Sequence, residues 1–280
     1  MLARISGAAL RGLLVALLIA TPALMLPDVA ADSSQMVVLA ALLAGFMTFV
    51  EYNSNAPSIV EFRDAPPFNR LRFLALFLTV YLLTAISKGK TDPTLVTQTL
   101  TSVGTLIGNS IDFPFSPVRM IVLMLPEDSD PEVVNSVRTA AGLAYLISLT
   151  AMTAFLILVR ILGWPIRHGA FNVWINLPLF DPTAGGDVPQ RLKRDARINI
   201  ALGFLLPFFI PAVVKATADL VDPITLANPQ TLIWTISAWA FLPASMIMRG
   251  IAMGRIAEMI EEKRRRAYAN ASEEVDFQTA

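Results

Sequence analysis

The chain has 280 residues, of which 55% are hydrophobic and only 16% are charged, and its mean hydropathy is +0.59. These values exceed those of an ordinary soluble domain, so the class of protein is membrane-embedded. Because 22 basic and 22 acidic residues cancel, no global charge favours binding to nucleic acid. The absence of cysteine excludes disulfides, thiolate catalysis and cysteine-ligated metals.

The hydrophobic runs indicate an all-α fold, a polytopic membrane helix bundle with additional amphipathic interfacial helices. A transmembrane helix needs about 20 mostly apolar residues to cross a hydrocarbon core about 30 Å thick. Six candidate spans lie at residues 5–26, 36–50, 71–86, 139–161, 198–218 and 231–248. They make up a bundle domain at residues 1–248. Residues 249–280 are predicted to form a cytoplasmic amphipathic helix and a tail that is disordered after Asn270.

The first predicted span has small residues four apart on one face, which allows another helix to approach closely. These residues are Ala8, Gly12, Ala16 and Ala20. A cleaved signal peptide is the alternative, since Arg4 and Arg11 precede an apolar core and residues 29–31 (VAA) are typical of a cleavage site. We favour a retained span, because the small-residue face would serve no purpose in a discarded segment.

The connector at residues 51–70, EYNSNAPSIVEFRDAPPFNR, contains three prolines, which rule out a long helix. Its charged cluster consists of Glu51, Glu61, Arg63 and Asp64. Paired carboxylates can perform acid–base chemistry. The favoured interpretation is a salt-bridged loop docked under the bundle, against the basic cluster at residues 191–197.

Residues 94–111 have the periodicity of an amphipathic helix. Threonines and glycines occupy most of the helix surface outside one apolar face. That face consists of Val96, Leu100, Val103, Ile107 and Ile111. The stretch predicts a helix lying at the membrane interface, or a re-entrant hairpin, rather than a span.

The connector at residues 164–197 interrupts the hydrophobic runs and contains the chain's only histidine. Its candidate binding residues are Arg167, His168, Phe171, Trp174, Asp181 and Asp187. A histidine near two aspartates could act as a general base or a metal ligand. However, one histidine without a second histidine or a cysteine is a poor zinc site. We therefore predict no catalytic residue, no metal and no cofactor here.

Two further features of this connector favour a non-catalytic role. Residues 181–187 (DPTAGGD) lack the lysine of a phosphate-binding P-loop, and they predict a tight turn in which glycine supplies positive φ and aspartate bonds its own backbone. The aromatic and basic residues predict a patch in the lipid headgroup region or a docking surface for a partner protein. The sequence leaves both open.

The fifth predicted span contains Pro207, Pro211, Lys215 and, just beyond it, Asp219. In a transporter the prolines would break the helix and Lys215 would contact a substrate or proton. The favoured alternative is that Lys215 extends to the interface and pairs with Asp219, while the prolines only bend the helix. Near the C-terminus, a basic run predicts contacts with lipid headgroups: Arg264, Arg265 and Arg266.

Basic residues concentrate on one side of the six predicted spans. All but five of the 22 fall on the side that carries both termini and the two connectors at residues 51–70 and 164–197. The five on the far side are Lys88, Lys90, Arg119, Arg138 and Lys215. Because cytoplasmic loops are enriched in lysine and arginine, both termini are predicted to be cytoplasmic.

The loops EYNSNAPSIVEFRDAPPFNR and NVWINLPLFDPTAGGD resemble those of uncharacterised multi-pass inner-membrane proteins of alphaproteobacteria. This resemblance implies a location in the bacterial inner membrane and no particular activity.

Three functional hypotheses follow. The leading one is an accessory, assembly or scaffolding protein that binds a partner protein or lipid through the connectors at residues 51–70 and 164–197. The alternatives are a transporter or channel that uses the fifth span, and a membrane enzyme acting on a lipid-linked substrate. The expected partners are membrane lipids and a protein or second copy of the chain, and no nucleic acid.

Overall fold

The computed structural model describes residues 2–27, 31–165, 171–181, 183, 185–217 and 226–279. The regular elements within these ranges are all α-helices, as the sequence predicts. In chain order they are α1 (Leu2–Met25), α2 (Ala31–Asn53), α3 (Phe68–Lys88), α4 (Leu95–Ile111), α5 (Pro117–Met124), α6 (Pro131–Arg160), α7 (Val173–Asn176), α8 (Val188–Thr217) and α9 (Pro229–Thr279).

Six of these helices are long and apolar enough to cross a membrane. They are α1, α2 from Gln35, α3, α6, α8, and α9 as far as Ala271. Each contains a stretch that hydropathy singles out in the sequence, and the prediction of a membrane helix bundle is confirmed at this level. The shorter helix α4 begins after Thr94, whose side chain accepts a hydrogen bond from the Thr97 N–H in a capping box. Its position at the membrane interface stays a prediction.

The last helix differs from the expectation of a disordered tail after Asn270. Helix α9 is 51 residues long and continues to Thr279, a length of about 75 Å at the usual helical rise. Its second half contains no proline and is rich in alanine, glutamate and arginine, which all favour helix. The span and the amphipathic segment that follows it therefore form one continuous helix.

Helices α1 and α2 pack as a hairpin through glycine. A Cβ atom added to Gly12 would lie 2.6 Å from the carbonyl oxygen of Gly45, and one added to Gly45 would lie 2.8 Å from the carbonyl oxygen of Gly12. The small-residue face predicted for the first span thus meets another helix at backbone distance.

Two buried clusters hold the bundle together. One joins α3, α5, α6 and α9 around Ile121, Val137 and Ile233. The other lies at the end of the bundle where α2 leads into α3 and α6 leads into α8, and it includes Phe62, Phe68 and Trp164. We call this end the loop end. Its core is built partly from the connectors, so these connectors are integral to the fold.

The hairpin contact yields a stability prediction. Gly12→Val should lower the free energy of unfolding by about 1–3 kcal/mol, because the added side chain must displace the α2 backbone. The measurement is thermal unfolding of the purified protein in mild detergent. Ala9→Val, on the exposed face of α1, serves as the control and should leave the melting temperature nearly unchanged. Equal melting temperatures for both variants would contradict the close packing.

Candidate functional site

The connector between α2 and α3 docks onto the connector between α6 and α8. The backbone N–H of Phe62 donates to the carbonyl oxygen of Asn176 at 2.6 Å, and the Asp64 N–H donates to the Asn176 side-chain oxygen at 3.0 Å. The Trp164 indole donates to the Ala65 carbonyl at 3.2 Å. These contacts make one surface out of two distant segments. We call it the loop platform: residues 54–67, 171–181, 183 and 185–187.

Phe62 lies at the centre of the loop platform. Its φ of 53° is in the left-handed region, which costs a non-glycine residue roughly 1 kcal/mol. Burial of the whole side chain offsets this cost, because the ring packs 4.6 Å from that of Phe68 and 5.7 Å from that of Trp164, measured between centroids. Phe171, a candidate binding residue, lies 6.3 Å from Phe62 by the same measure and joins this aromatic cluster.

The carboxylates of the first connector hold the loop in place. Glu51 accepts hydrogen bonds from the backbone N–H groups of Ser58, Ile59 and Val60. Glu61 is buried and binds the guanidinium of Arg249 in α9 through two bonds of 2.5 and 2.7 Å. The expected salt-bridged docking is therefore observed. The expected partner is wrong, since it lies on α9 and not at residues 191–197.

The candidate residues of the second connector, at residues 164–197, have different surroundings. Arg167 and His168 lie outside the described residues. Trp174 is 61% exposed on the loop platform. Asp181 accepts hydrogen bonds from the N–H and hydroxyl groups of Thr183 at 2.8 and 2.6 Å, which is the predicted aspartate-capped turn. Gly185 and Gly186 take positive φ within that turn.

Asp187 has a structural partner, because Arg264 of α9 donates to its carboxylate at 2.5 Å. This hydrogen bond is the main reason that the pKa of Asp187 lies below its usual value. The pair is therefore present at neutral pH and is lost only as pH falls through the lowered pKa. Arg264 thus links α9 to the loop platform through a solvent-exposed pair, and Arg265 and Arg266 are exposed as well.

Helix α8 runs unbroken through both prolines of the fifth predicted span. Pro211 has no N–H to donate to the carbonyl of Pro207, and the indole of Trp239 donates to that carbonyl at 3.0 Å. Lys215 donates to the backbone carbonyl of Leu125 at 3.3 Å. Asp219, its expected partner, lies outside the described residues. The discontinuous helix of the transporter hypothesis is not present in the described part of α8.

A cavity of about 710 Å³ beneath the loop platform was not predicted from the sequence. It lies between the first connector and helices α1, α2 and α3. Its polar lining includes Arg11, Arg63, Arg70, Arg72 and Glu61. The only sequence signal was a set of arginines at corresponding ends of the first and third spans, which positive-inside topology explains equally well.

Arg72 is the cation of this lining whose hydrogen bonding is incomplete at a buried atom. Its Nε atom is buried and has no hydrogen-bond partner among the described residues. Its Nη1 atom donates to the Asn69 side-chain oxygen at 3.3 Å, and its guanidinium lies 5.1 Å from the ring centroid of Phe68 and 5.9 Å from that of Phe241. The ring faces offset part of the cost of burying this charge.

Another buried carboxylate, which the sequence did not single out, lies at the opposite end of the bundle. Asp112, at the end of α4, is 4% exposed and lies 2.7 Å from both Arg119 and Arg138. The three residues join α4, α5 and α6. Since the carboxylate has two cationic partners, we interpret the cluster as structural.

Taken together, the fold and its sites define a multi-pass helical membrane protein. Within the described residues, no three histidine, aspartate or glutamate side chains are grouped so as to hold a metal ion. A scan against protein-family models, a search of curated proteins and a search of solved structures each find no match to the chain.

The Glu61–Arg249 ion pair leads to a second stability prediction. Glu61→Gln should lower the free energy of unfolding by about 1.5–3 kcal/mol, because Arg249 loses its charged hydrogen-bond acceptor. The double variant Glu61→Gln/Arg249→Met should lose less unfolding free energy than the sum of the losses in the two single variants. Chemical or thermal unfolding in detergent measures both values.

The control for this prediction is the exposed pair of Lys88 and Asp92, whose N···O distance is 3.7 Å. Asp92→Asn should change the unfolding free energy by less than about 1 kcal/mol, because solvent screens such pairs. Equal effects of Glu61→Gln and Asp92→Asn would show that the loop is not fastened through Glu61.

Proposed function

We propose that the chain is a non-catalytic accessory or scaffolding protein of a bacterial inner membrane that binds a partner protein at its loop end. One observation carries this proposal. Glu51, Glu61 and Asp187 hold the loop platform to the helices, whereas its surface exposes Trp174 and the adjoining helices expose basic side chains. Exposed tryptophan and arginine are typical anchors of protein interfaces.

The end of α9 provides further support. Lys193 at the start of α8 bonds Glu261 at 2.6 Å, and Arg264 bonds Asp187. From Arg264 the helix continues another 15 residues to Thr279, about 22 Å of helix. A single polar helix has marginal stability in water, so a partner would stabilise it. Lys263, Arg265 and Arg266 are exposed, which favours a partner with an acidic surface.

The two alternative functions have less support. Helix α8 is continuous where a transporter would need a broken helix. Asp181 and Asp187, the acidic candidates for an enzyme, are bonded to Thr183 and Arg264. The basic residues concentrated at the loop end favour a cytoplasmic position for the loop platform and for both termini.

The orientation can be tested by cysteine labelling, since the chain has no cysteine of its own. Gly185→Cys should react with a membrane-impermeant maleimide only after the inner membrane is permeabilised, because it lies on the loop platform. Thr91→Cys, exposed between α3 and α4, is the matched control and should react in spheroplasts without permeabilisation. The reverse pattern would overturn the proposed orientation.

Partner binding can be tested by site-specific crosslinking in cells. Photoreactive side chains at Trp174 and Arg266 should yield discrete adducts with the same second protein, because both positions belong to the proposed interface. The control is Phe204, a 64% exposed residue of α8 in its apolar section, which should give no such adduct. If adducts are absent, occur equally at Phe204, or contain only a second copy of this chain, the proposal fails.

A further inference from the structure

The cavity beneath the loop platform combines a charged lining with an apolar one. Arg11 and Leu14 come from α1, Tyr52 from α2, and Arg72 and Leu74 from α3. Loop residues between α2 and α3 cover one side of the cavity. The volume of about 710 Å³ is within the range of small-molecule and cofactor sites. The position at the end of three spans places this cavity where lipid headgroups meet a membrane protein.

The carboxylate within the cavity, Glu61, is hydrogen-bonded to an arginine from outside the cavity lining. Both oxygens of Glu61 accept hydrogen bonds from Arg249, which approaches from α9. Arg63 is also engaged, since its guanidinium donates to the backbone carbonyls of Glu51 and Ser54 and contacts Asp64. Glu61 and Arg63 are therefore committed to the loop itself. The charge left for a ligand is positive.

Arg72 is the group that most needs an anion. Its Nε atom is buried without a hydrogen-bond partner among the described residues, and its recorded acceptor, the neutral amide of Asn69, is 3.3 Å away. A buried cation is costly unless it is paired and hydrogen-bonded. The nearby rings of Phe68 and Phe241 supply only part of the compensation. An anion beside Arg72 would supply the rest.

Two more arginines line the same cavity. Arg11 lies 4.7 Å from the ring centroid of Tyr52 and donates to the carbonyl of Gly7 on its own helix. Arg70 is exposed and forms no ion pair with other described residues. The planar fork of guanidinium matches the oxygens of phosphate, so this set of cations favours phosphate over a single carboxylate.

The apolar lining distinguishes a lipid from a free anion. Leu14, Val15, Phe73 and Leu74 line the cavity and belong to α1 and α3, whose faces continue into the spans. Leu74 is 57% exposed, and Ile59 and Leu179 of the loop platform also line the cavity. A ligand that fills both halves has a phosphate at one end and an acyl chain at the other.

We infer that this cavity binds an anionic phospholipid, with the phosphate held by Arg72 and an acyl chain along Leu14 and Leu74. Zwitterionic lipids are disfavoured, because their amine would enter a lining that already has excess positive charge. The site is separate from the proposed partner interface at Trp174 and the end of α9, and it does not depend on that proposal.

The test uses the full chain purified in mild detergent, titrated with phosphatidylglycerol, phosphatidylethanolamine or inorganic phosphate. Native mass spectrometry counts bound lipid, and thermal unfolding reports stabilisation. Phosphatidylglycerol should bind and raise the melting temperature, while the other two probes should not. Arg72→Gln should weaken phosphatidylglycerol binding about ten-fold or more, because it removes a charged hydrogen bond.

Arg197→Gln is the matched control, since Arg197 is an exposed cation at the loop end outside the cavity. It should leave phosphatidylglycerol affinity within about two-fold of the unaltered protein, as expected for a single exposed charge. If Arg72→Gln does not fold, Arg70→Gln provides a second variant, because Arg70 is exposed and its removal should weaken binding without unfolding the bundle.

Three results would overturn the inference. Equal binding of phosphatidylethanolamine would indicate a general lipid surface, and stabilisation by inorganic phosphate alone would indicate a free-anion site. Unchanged phosphatidylglycerol binding in the arginine variants of the cavity would place the lipid elsewhere. Crosslinking at Trp174 should persist in Arg72→Gln, so failure of the lipid site and failure of the partner interface can be told apart.

Discussion

The ion pair between Glu61 and Arg249 is the interaction on which the loop end depends. It fastens the connector between α2 and α3 to α9, and the two paired residues are 188 positions apart in the chain. Two other contacts support the same connection: the Phe62 N–H bonds the Asn176 carbonyl, and the Trp164 indole bonds the Ala65 carbonyl. Without this connection, the segment between α2 and α3 would be a polar loop containing three prolines, with no reason to stay against the bundle.

Fastening the loop also determines the electrostatics beneath it. Because Arg249 takes both oxygens of Glu61 in hydrogen bonds, that carboxylate attracts Arg72 through space but shares no recorded hydrogen bond with it. The docked loop also lines the cavity, and within it the Nε atom of Arg72 is buried without a hydrogen-bond partner among the described residues. The ion pair therefore holds the loop beside a cation, Arg72, whose hydrogen bonding is incomplete among the described residues. A site for an anion arises from that imbalance.

The sequence predicts the helices well, because hydropathy along a membrane span is a local property. It also predicts the aspartate-capped turn at residues 181–187, since the turn chemistry resides in adjacent residues. Ion pairs between residues far apart in the chain cannot be predicted from local sequence in this way. Glu61 could have paired with any of several arginines at the same end of the bundle, and only the packing of α9 selects Arg249.

Arg72 illustrates the same limit within the candidate site. In the sequence it is one of many basic residues near the ends of spans, and topology alone accounts for such residues. Its significance comes from the loop that folds over it and from the rings of Phe68 and Phe241, the second of which lies on another helix. The length of α9 was also missed, because polarity after Asn270 suggested disorder although the residues favour helix.

The most direct measurement is a density map of the protein extracted from membranes in mild detergent, at a resolution that shows bound lipid. We expect a strong feature within hydrogen-bonding distance of the Arg72 guanidinium, continuing as an elongated tail along Leu14 and Leu74. A cavity filled only by solvent, or closed by Ile59 and Leu179 moving inward while Arg72 pairs with a protein carboxylate, would contradict it.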